Sequence, residues 1–191
     1  MKIGLFFGSF NPIHIGHLII ANTIYEYSDL NEIWFVVSPQ NPHKRDSKSL
    51  IHEFDRLDMV ELAIEDQPNF KAMDIEFRMP KPNYTIDTLT YLQEKYPDHQ
   101  FSLIIGEDNL NSFTSWKNYQ IILDHYGLIV YPRPNSRLSE VINHPNVKLI
   151  EAPRMDISAS FIRKCIRDNK SVRYLVPEKV LQFIRDRKLY F

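Results

Sequence analysis

Short apolar segments alternate with helical patterns along the whole chain, and this alternation is the strongest constraint on the fold. Residues 3–7, 33–37, 101–105 and 128–131 are largely apolar runs, typical of strands that are covered on both faces. Strands that are joined through helices return in the same direction, which produces a mostly parallel sheet with helices on both faces. We therefore predict an α/β, Rossmann-like, doubly wound fold.

The remaining elements continue this order. We predict helices at 16–27, 54–64 (apolar stripe Phe54, Leu57, Val60, Ile64) and 85–96, strands near 70–77 and 147–150, a helical segment before residue 128, and two C-terminal helices, the second beginning at Pro177. All belong to a single predicted domain, 1–191, on which the helical segment from about residue 158 packs. The polar stretch 41–49 is predicted to be a mobile loop. In such sheets ligands bind at the carboxyl ends of the strands, so the following loops are candidates for a site.

Composition excludes several classes of function. The chain has 191 residues, 43% of them hydrophobic, which is enough for one globular domain with a real core. Its 23 Lys and Arg against 24 Asp and Glu create no general positive field, so we expect neither nucleic acid nor a membrane surface as partner. A single cysteine, Cys165, rules out a disulfide framework and fits the cytoplasm. The oligomeric state stays open, a homo-oligomer included.

The turn after the first strand, residues 8–17 (GSFNPIHIGH), carries the first candidate site. It lies where a helix begins, and the unpaired N–H groups and dipole of a helix N-terminus favour an anion. Gly8 permits a tight turn, and Gly16 lets a ligand approach the backbone. His14 and His17 lie on one side of the first helical turn, so both can donate to one phosphate. Alone, this spacing is more typical of a structural histidine pair.

The same segment resembles the G-x-F-x-P-x-H-x-G-H signature of the nucleotidylyltransferase superfamily. The resemblance implies an ATP site that includes Gly8, Ser9, Phe10, His14, Gly16 and His17. The G-x-G-x-x-G of dinucleotide oxidoreductases is absent, which removes the main support for hydride transfer. Members of the superfamily commonly have Thr and Asp where this chain has Ser9 and Asn11, and Asn11 removes one negative charge.

A second candidate anion site lies near the C-terminus, at residues 157–163 (ISASFIR). Hydroxyl groups stand where a helix begins, with Arg163 one turn inside it, an arrangement that alone is typical of an ordinary helix cap. The segment resembles the superfamily's I-S-[ST]-[ST]-x-I-R, which holds the β- and γ-phosphates of ATP. This implies that Ile157, Ser158 and Arg163 bind ATP, and that His14, His17 and Arg163 are catalytic.

The string His-Ile-Gly-His is also similar to one found in class I aminoacyl-tRNA synthetases. Those enzymes pair it with a Lys-Met-Ser-Lys-Ser type loop and use further domains to bind tRNA. This chain has neither that loop nor the additional length, and it lacks an excess of basic residues. We therefore reject the synthetase interpretation.

The acceptor substrate is indicated by residues 82–89 (PNYTIDTL), which resemble the P-x-Y-T-x-D-T-L pattern of bacterial nicotinate mononucleotide adenylyltransferases. Segments 38–44, 105–108 and 131–134 and Trp116 follow in that family's order. The resemblance covers nearly the whole chain. Lys117 departs from the Tyr that often follows the tryptophan, and the residues before Lys44 depart from the usual P-N-x-x-P-P-H-K.

The resemblance implies a role for each acceptor residue. Trp116 offers a face for a pyridine ring, and Tyr84 and Thr85 present backbone N–H groups to its carboxylate. Lys44 and Arg133 hold the mononucleotide phosphate. Gly106 and Asp108, in a Gly-x-Asp after a strand, complete the ATP site, with Asp108 accepting from a ribose hydroxyl. Taken singly, Trp116, Lys44 and Asp108 are more typical of a core residue, a solvated charge and a helix cap.

The implied reaction is adenylyl transfer from ATP to nicotinate mononucleotide. A phosphomonoester, with a second pKa of about 6, is already an anionic nucleophile, so no general base is required. Mg²⁺ is expected on the ATP phosphates, and no protein metal site is predicted. Two alternatives stay open: a sister adenylyltransferase for nicotinamide mononucleotide or phosphopantetheine, and a non-catalytic nucleotide sensor. Phosphopantetheine enzymes commonly have Thr at the position of His14.

Overall fold

A computed structural model of the chain describes residues 1–39, 50–133 and 139–191. Within these ranges one parallel sheet contains the strands β1 (Lys2–Gly8), β2 (Glu32–Val37), β3 (Phe70–Met73), β4 (Gln100–Gly106), β5 (Leu128–Tyr131) and β6 (Val147–Leu149). Their order across the sheet is β3-β2-β1-β4-β5-β6. The order therefore reverses between β1 and β4, as in Rossmann-like folds.

Helices connect the strands and follow the sheet at the C-terminus. They are α1 (Ile15–Glu26), α2 (Glu53–Ile64), α3 (Thr85–Lys95), α4 (Glu107–Leu110), α5 (Tyr119–Ile121), α6 (Ala159–Arg167) and α7 (Glu178–Asp186). Short 3₁₀ turns lie at Ile75–Arg78, Phe113–Ser115 and Glu140–Asn143, and a π turn at Ile122–Tyr126 continues α5. The predicted α/β class is confirmed.

Both faces of the sheet are covered, because alternate strand residues face opposite sides. Phe6 points into a core that contains α1, α2, α6 and α7, whereas Leu5 points into a second core that contains α3. Ile162 of α6 and Val180 of α7 are fully buried in the first of these cores. The C-terminal helices thus pack on the same face of the sheet as α1 and α2.

Two details of the sequence-based expectation were wrong. The strand predicted near 70–77 ends at Met73, because the chain turns there into a 3₁₀ turn closed by a hydrogen bond from the Phe77 N–H to the Asp74 carbonyl (2.9 Å). On α2, Phe54 is 54% exposed, whereas Arg56 is fully buried. The helix is rotated so that a cation, and not an aromatic ring, enters the interior. The stretch 41–49 lies outside the described residues.

We expect the core under α3 to be sensitive to truncation. Leu89 is fully buried, whereas Leu149 on β6 is 48% exposed, so the pair offers the same substitution in two environments. Leu89→Ala should lower the free energy of unfolding by about 2–5 kcal/mol, because it removes buried apolar surface and leaves a cavity. Leu149→Ala should change it by about 0.5 kcal/mol or less. Urea denaturation at neutral pH measures both, and equal losses would contradict the assignment of these faces.

Candidate nucleotide-binding site

A cleft lies at the carboxyl ends of β1, β4 and β5, where ligands bind in sheets of this topology. It consists of two cavities, of about 580 and about 800 Å³. Ser9 after β1, Asp108 after β4 and Tyr131 at the end of β5 line both of them. Since the cavities share these residues, they are two halves of one cleft, called here the smaller and the larger cavity.

The larger cavity brings together the two motifs that sequence analysis assigned to ATP. Its lining includes Gly8, Ser9, Phe10, His14, His17, Asp108, Ile157, Ser158 and Arg163. Gly106 lies in the smaller cavity. The structure thus brings residues of the segments 8–17 and 157–163 to the lining of one cavity, although Gly16 is not part of that lining.

The two histidines form a fixed pair at the start of α1. Their rings stack with centroids 3.7 Å apart, and the backbone N–H of His14 donates to Nδ1 of His17 (3.2 Å). Because Nδ1 of His17 accepts this bond, the neutral ring carries its proton on Nε2. The rings of Phe6 and Phe10 pack against the His17 ring in edge-to-face geometry, with centroid-to-centroid distances of 6.1 and 5.2 Å. The position and tautomer of His17 are therefore set by its neighbours.

Gly8 and Gly16 leave room for the rings beside them. A Cβ on Gly16 would lie 3.1 Å from Nδ1 of His14, and a Cβ on Gly8 would lie 2.8 Å from Cζ of Phe10. A side chain at either position would displace a ring that packs against the histidine pair. The sequence suggested close ligand approach as the reason for Gly16, and the structure adds contact with His14.

Electrostatics make both histidines neutral donors. Burial, together with the Arg133 cation, lowers the pKa of His14 to about 4. Burial also lowers the pKa of His17 well below its ordinary value, with His14 and Arg133 contributing. At neutral pH each ring therefore offers one N–H donor and carries no charge. The positive charge of the larger cavity comes from Arg133 and Arg163, which also line it.

Arg163 joins the two ends of the chain. Its Nη1 donates to the carbonyl of Asn11 (2.7 Å), and its Nη2 donates to Oγ of Ser160 (3.2 Å). Oγ of Ser158 accepts from the backbone N–H of Phe161 (3.2 Å) and so caps α6. Asn11, where superfamily members commonly have Asp, accepts through Oδ1 from the Tyr190 hydroxyl (2.8 Å). The C-terminal segment thereby fixes the turn after β1.

The smaller cavity contains the residues assigned to the acceptor ring. Tyr84, Thr85 and Trp116 line it. Tyr84 is the N-cap of α3, so the first turn of this helix presents backbone N–H groups without helical partners to the cavity. The Trp116 ring is held by Phe113, with centroids 5.4 Å apart. An aromatic face and a helix N-terminus therefore meet in one space.

Lys117 connects the walls of the smaller cavity. Its Nζ lies 3.0 and 2.9 Å from the two carboxylate oxygens of Asp87, in the first turn of α3. The same Nζ lies 4.8 Å from the centroid of the Tyr84 ring, at cation–π distance. This departure from the family pattern thus links the Trp116 loop to α3.

The two residues assigned to the acceptor phosphate have different outcomes. Arg133 lines the larger cavity, with its guanidinium 5.2 Å from the centroid of the Tyr131 ring and its Nε 3.8 Å from Oδ1 of Asp108. It therefore lies on the histidine side of the cleft and not beside Trp116. Lys44 lies outside the described residues.

Sequence reasoning missed two buried polar residues at this cleft. Arg56, fully buried, donates to four backbone carbonyls around it. Glu76, 3% exposed, lines the smaller cavity and accepts from the Thr88 hydroxyl (2.9 Å), and burial raises the pKa of its carboxyl. Local sequence carries no signal for either, because a charged residue in a helix or turn is ordinarily solvated.

Within residues 1–39, 50–133 and 139–191, no group of three or more His, Cys, Asp or Glu side chains is arranged to hold a metal ion. Helices in the same ranges are too short or too polar to span a bilayer.

The fold and the cleft define a nucleotide-binding α/β protein. The model of the cytidylyltransferase-like family matches residues 5–165, from the first strand into α6. A curated relative from Cytophaga hutchinsonii is 60% identical over 190 residues, covering 100% of this chain and 98% of the relative. A second, from Flavobacterium psychrophilum, is 50% identical over 192 residues, covering 100% and 99%. Both are named probable nicotinate-nucleotide adenylyltransferase, and the chain belongs to the nicotinate-nucleotide adenylyltransferase family.

Solved structures agree on the fold. The nicotinic acid mononucleotide adenylyltransferase of Plasmodium falciparum complexed with NaAD superimposes with a TM-score of 0.82, at 21% identity, covering 99% of this chain and 97% of that chain. A structure from Vibrio parahaemolyticus, described as a putative nicotinate-nucleotide adenylyltransferase, gives a TM-score of 0.71 at 19% identity, covering 99% and 94%. At these identities the likeness supports the Rossmann-like fold.

The histidine pair should make the protein less stable at mildly acidic pH. The pKa of His14 in the folded state is about 4, below its ordinary value of 6.5, so the unfolded chain takes up a proton between these values that the folded chain does not. Stability is therefore lost as the pH falls from about 6.5 toward 4. When the pH is lowered from about 7 to about 5, the free energy of unfolding should fall by about 2 kcal/mol less in His14→Gln than in the wild type. Urea titrations at both pH values measure this, and parallel losses in the two proteins would contradict the assignment.

Proposed function

We infer that the protein transfers the adenylyl group of ATP to nicotinate mononucleotide, giving nicotinate adenine dinucleotide and pyrophosphate. One observation carries this inference: a cavity with the stacked His14 and His17 pair adjoins a cavity with Trp116 and the N-terminus of α3. The first suits a polyphosphate, and the second suits an aromatic ring with an anionic substituent. Membership of the nicotinate-nucleotide adenylyltransferase family supports the same reaction.

ATP occupies the larger cavity in this proposal. His17, through Nε2–H, and His14 donate to the α-phosphate, while Ser158 and Arg163 bind the β- and γ-phosphates at the start of α6. Gly8, Ser9, Phe10, Gly16 and Ile157 shape the backbone around the nucleotide. Asp108, whose side chain is 58% exposed next to Gly106, accepts from the ribose. Mg²⁺ enters with ATP as part of the substrate and shields the charge of its phosphates.

The acceptor occupies the smaller cavity, with its phosphate directed toward the larger one. Trp116 stacks on the pyridine ring, and the N–H groups around Tyr84 and Thr85 bind its carboxylate. Arg133, on the histidine side of the cleft, is then well placed for the acceptor phosphate, because this phosphate must reach the α-phosphorus. We also propose this phosphate as the partner of Lys44.

The chemistry is an in-line displacement. An oxygen of the mononucleotide phosphate attacks the α-phosphorus of ATP and forms a new P–O bond. The bond from the α-phosphorus to the oxygen that bridges to the β-phosphate breaks, and its electron pair leaves on pyrophosphate. Neutral imidazoles suit this task, because a donor fixed at the position where negative charge develops stabilises the transition state. Alignment and charge stabilisation then supply the catalysis.

The remaining expectations about the setting belong to the same proposal. We propose a cytoplasmic enzyme that acts on small nucleotides, without nucleic acid as substrate. The buried free thiol of Cys165 and the near balance of 23 basic and 24 acidic residues fit this setting.

A pyrophosphate-release assay tests the proposed function. ATP is supplied with nicotinate mononucleotide, nicotinamide mononucleotide or phosphopantetheine as acceptor, in the presence of Mg²⁺. Release with nicotinate mononucleotide, together with formation of the dinucleotide, is the expected result. Release only with another acceptor would assign a sister enzyme, and no release with ATP still bound would assign a nucleotide sensor.

Replacing His17 should reduce turnover far more than it weakens ATP binding. The Nε2–H donor acts mainly as charge develops on the α-phosphate, and loss of one such donor typically lowers kcat by ~10²–10³-fold. Steady-state kinetics and calorimetry with ATP measure the two effects for His17→Ala. His99→Ala is the matched control, because His99 precedes β4 at the opposite end of the sheet and packs on Tyr96. A folded His17→Ala variant with near wild-type kcat would contradict the role.

The acceptor cavity should prefer the acid to the amide. A carboxylate can accept from two N–H groups, whereas an amide turns a donor toward one of them and leaves a buried group unpaired, at a loss of ~1–3 kcal/mol. We expect kcat/KM for nicotinate mononucleotide to exceed that for nicotinamide mononucleotide by at least ~10-fold. Trp116→Ala should raise KM for both mononucleotides, because stacking on the pyridine ring does not depend on whether the ring carries the acid or the amide. Equal efficiencies in the wild type would show that the cavity is built differently.

A further inference from the structure

Arg56 is a fully buried cation, and its hydrogen bonds to the described residues all go to backbone carbonyls. Its Nη1 donates to the carbonyls of Ser9 (2.6 Å) and Ser38 (2.7 Å), its Nη2 to that of Pro39 (3.1 Å), and its Nε to that of Ile51 (3.2 Å). Burying a guanidinium is costly unless its donors are satisfied, and this planar group reaches four oxygens at once. The position is therefore specific for arginine.

The carbonyls that Arg56 binds belong to segments of the cleft wall. Ser9 follows β1 and lines both cavities, whereas Ser38 follows β2 and lines the smaller one. The parallel ladder between these strands ends near the bond from the Ser38 N–H to the Gly8 carbonyl (2.9 Å). Beyond that point the two strands no longer pair, and the Arg56 guanidinium connects the loop after β1 with the loop after β2.

The connection continues from Ser38 into the acceptor wall. The Ser38 side chain lies beside the carboxyl of Glu76, which accepts a hydrogen bond from the Thr88 hydroxyl of α3 (2.9 Å). Glu76 and Thr88 are buried. A series of polar contacts thus runs from the loop after β1, through Arg56 and the half-buried Ser38, to the helix whose N-terminus faces the smaller cavity.

We propose that Arg56 is a positioning residue that sets the ATP-binding turn against the acceptor wall, so that the two substrates meet in line. It is fully buried and lines neither cavity. The proposal rests on the proposed function, because alignment matters only where both substrates react. A misplacement of about 1 Å between reacting groups lowers the rate by ~10²-fold. The affinity for each substrate should change little, because each substrate still has its own cavity. Loss of Arg56 should therefore lower kcat more than binding.

The test is Arg56→Lys, because an ammonium donates from a single nitrogen and does not reproduce the planar fork. We expect kcat with ATP and nicotinate mononucleotide to fall ~10- to 100-fold, while Kd for ATP alone and KM for the mononucleotide change less than ~3-fold. Turnover is expressed per folded molecule, with the folded fraction taken from thermal unfolding. If Arg56→Lys does not fold, Arg56→Gln, which keeps two N–H donors without a buried charge, is measured in the same way.

Asn146→Ala is the matched control. The Nδ2 of Asn146 also donates to two backbone carbonyls, those of Leu123 and Asp124 (both 3.2 Å), but at the start of β6, away from the cleft. It should lower Tm and leave kcat within ~2-fold of the wild type.

The outcomes separate the two proposals. A wild-type protein without pyrophosphate release refutes the proposed function and the alignment role with it. An active wild type with unchanged kcat per folded molecule in the Arg56 variant overturns the alignment role alone. A loss confined to ATP affinity overturns it as well, since Arg56 would then support one cavity only.

Discussion

Strands β1 and β4 pair in parallel at the centre of the sheet, and this pairing sets where the cleft forms. Leu5 pairs with Leu103 and Phe6 with Ile104, so Gly8 and Gly106 end side by side at one edge of the sheet. The strand order reverses at this point, and the connecting helices leave toward opposite faces. A cleft with two cavities follows, one bounded by α1 and α6 and the other by α3. A reaction that joins two nucleotides requires two such neighbouring spaces.

The parts predicted from sequence are those with a local pattern. Continuous apolar runs mark strands buried on both faces, and all six strand positions were predicted, although β3 is shorter than expected. The pair His14 and His17 is recognisable because helical spacing places both rings on one side of a helix start. Arg163 is recognisable from the helix cap at Ser158. Its bond to the Asn11 carbonyl joins residues 152 positions apart and was not readable from spacing.

The parts that sequence missed depend on partners brought by tertiary structure. Phe54 and Arg56 are two positions apart at the start of α2, and hydrophobicity alone favours burying the phenylalanine ring. Arg56 is buried instead, because its guanidinium donates to four backbone carbonyls, those of Ser9, Ser38, Pro39 and Ile51. Glu76 is similar, since the hydroxyl that pairs with its carboxyl comes from α3. Buried polar contacts of this kind are set by the fold and not by the local sequence.

The proposed function requires that the cleft is divided into an adenylyl half and an acceptor half. A crystal structure of the protein with nicotinate adenine dinucleotide tests this most directly. We expect the adenylyl phosphate within hydrogen-bond distance of Nε2 of His17, and the pyridine ring stacked on Trp116 with its carboxylate at the N-terminus of α3. A dinucleotide bound in the reverse orientation, or with its phosphates away from the histidine pair, would contradict it.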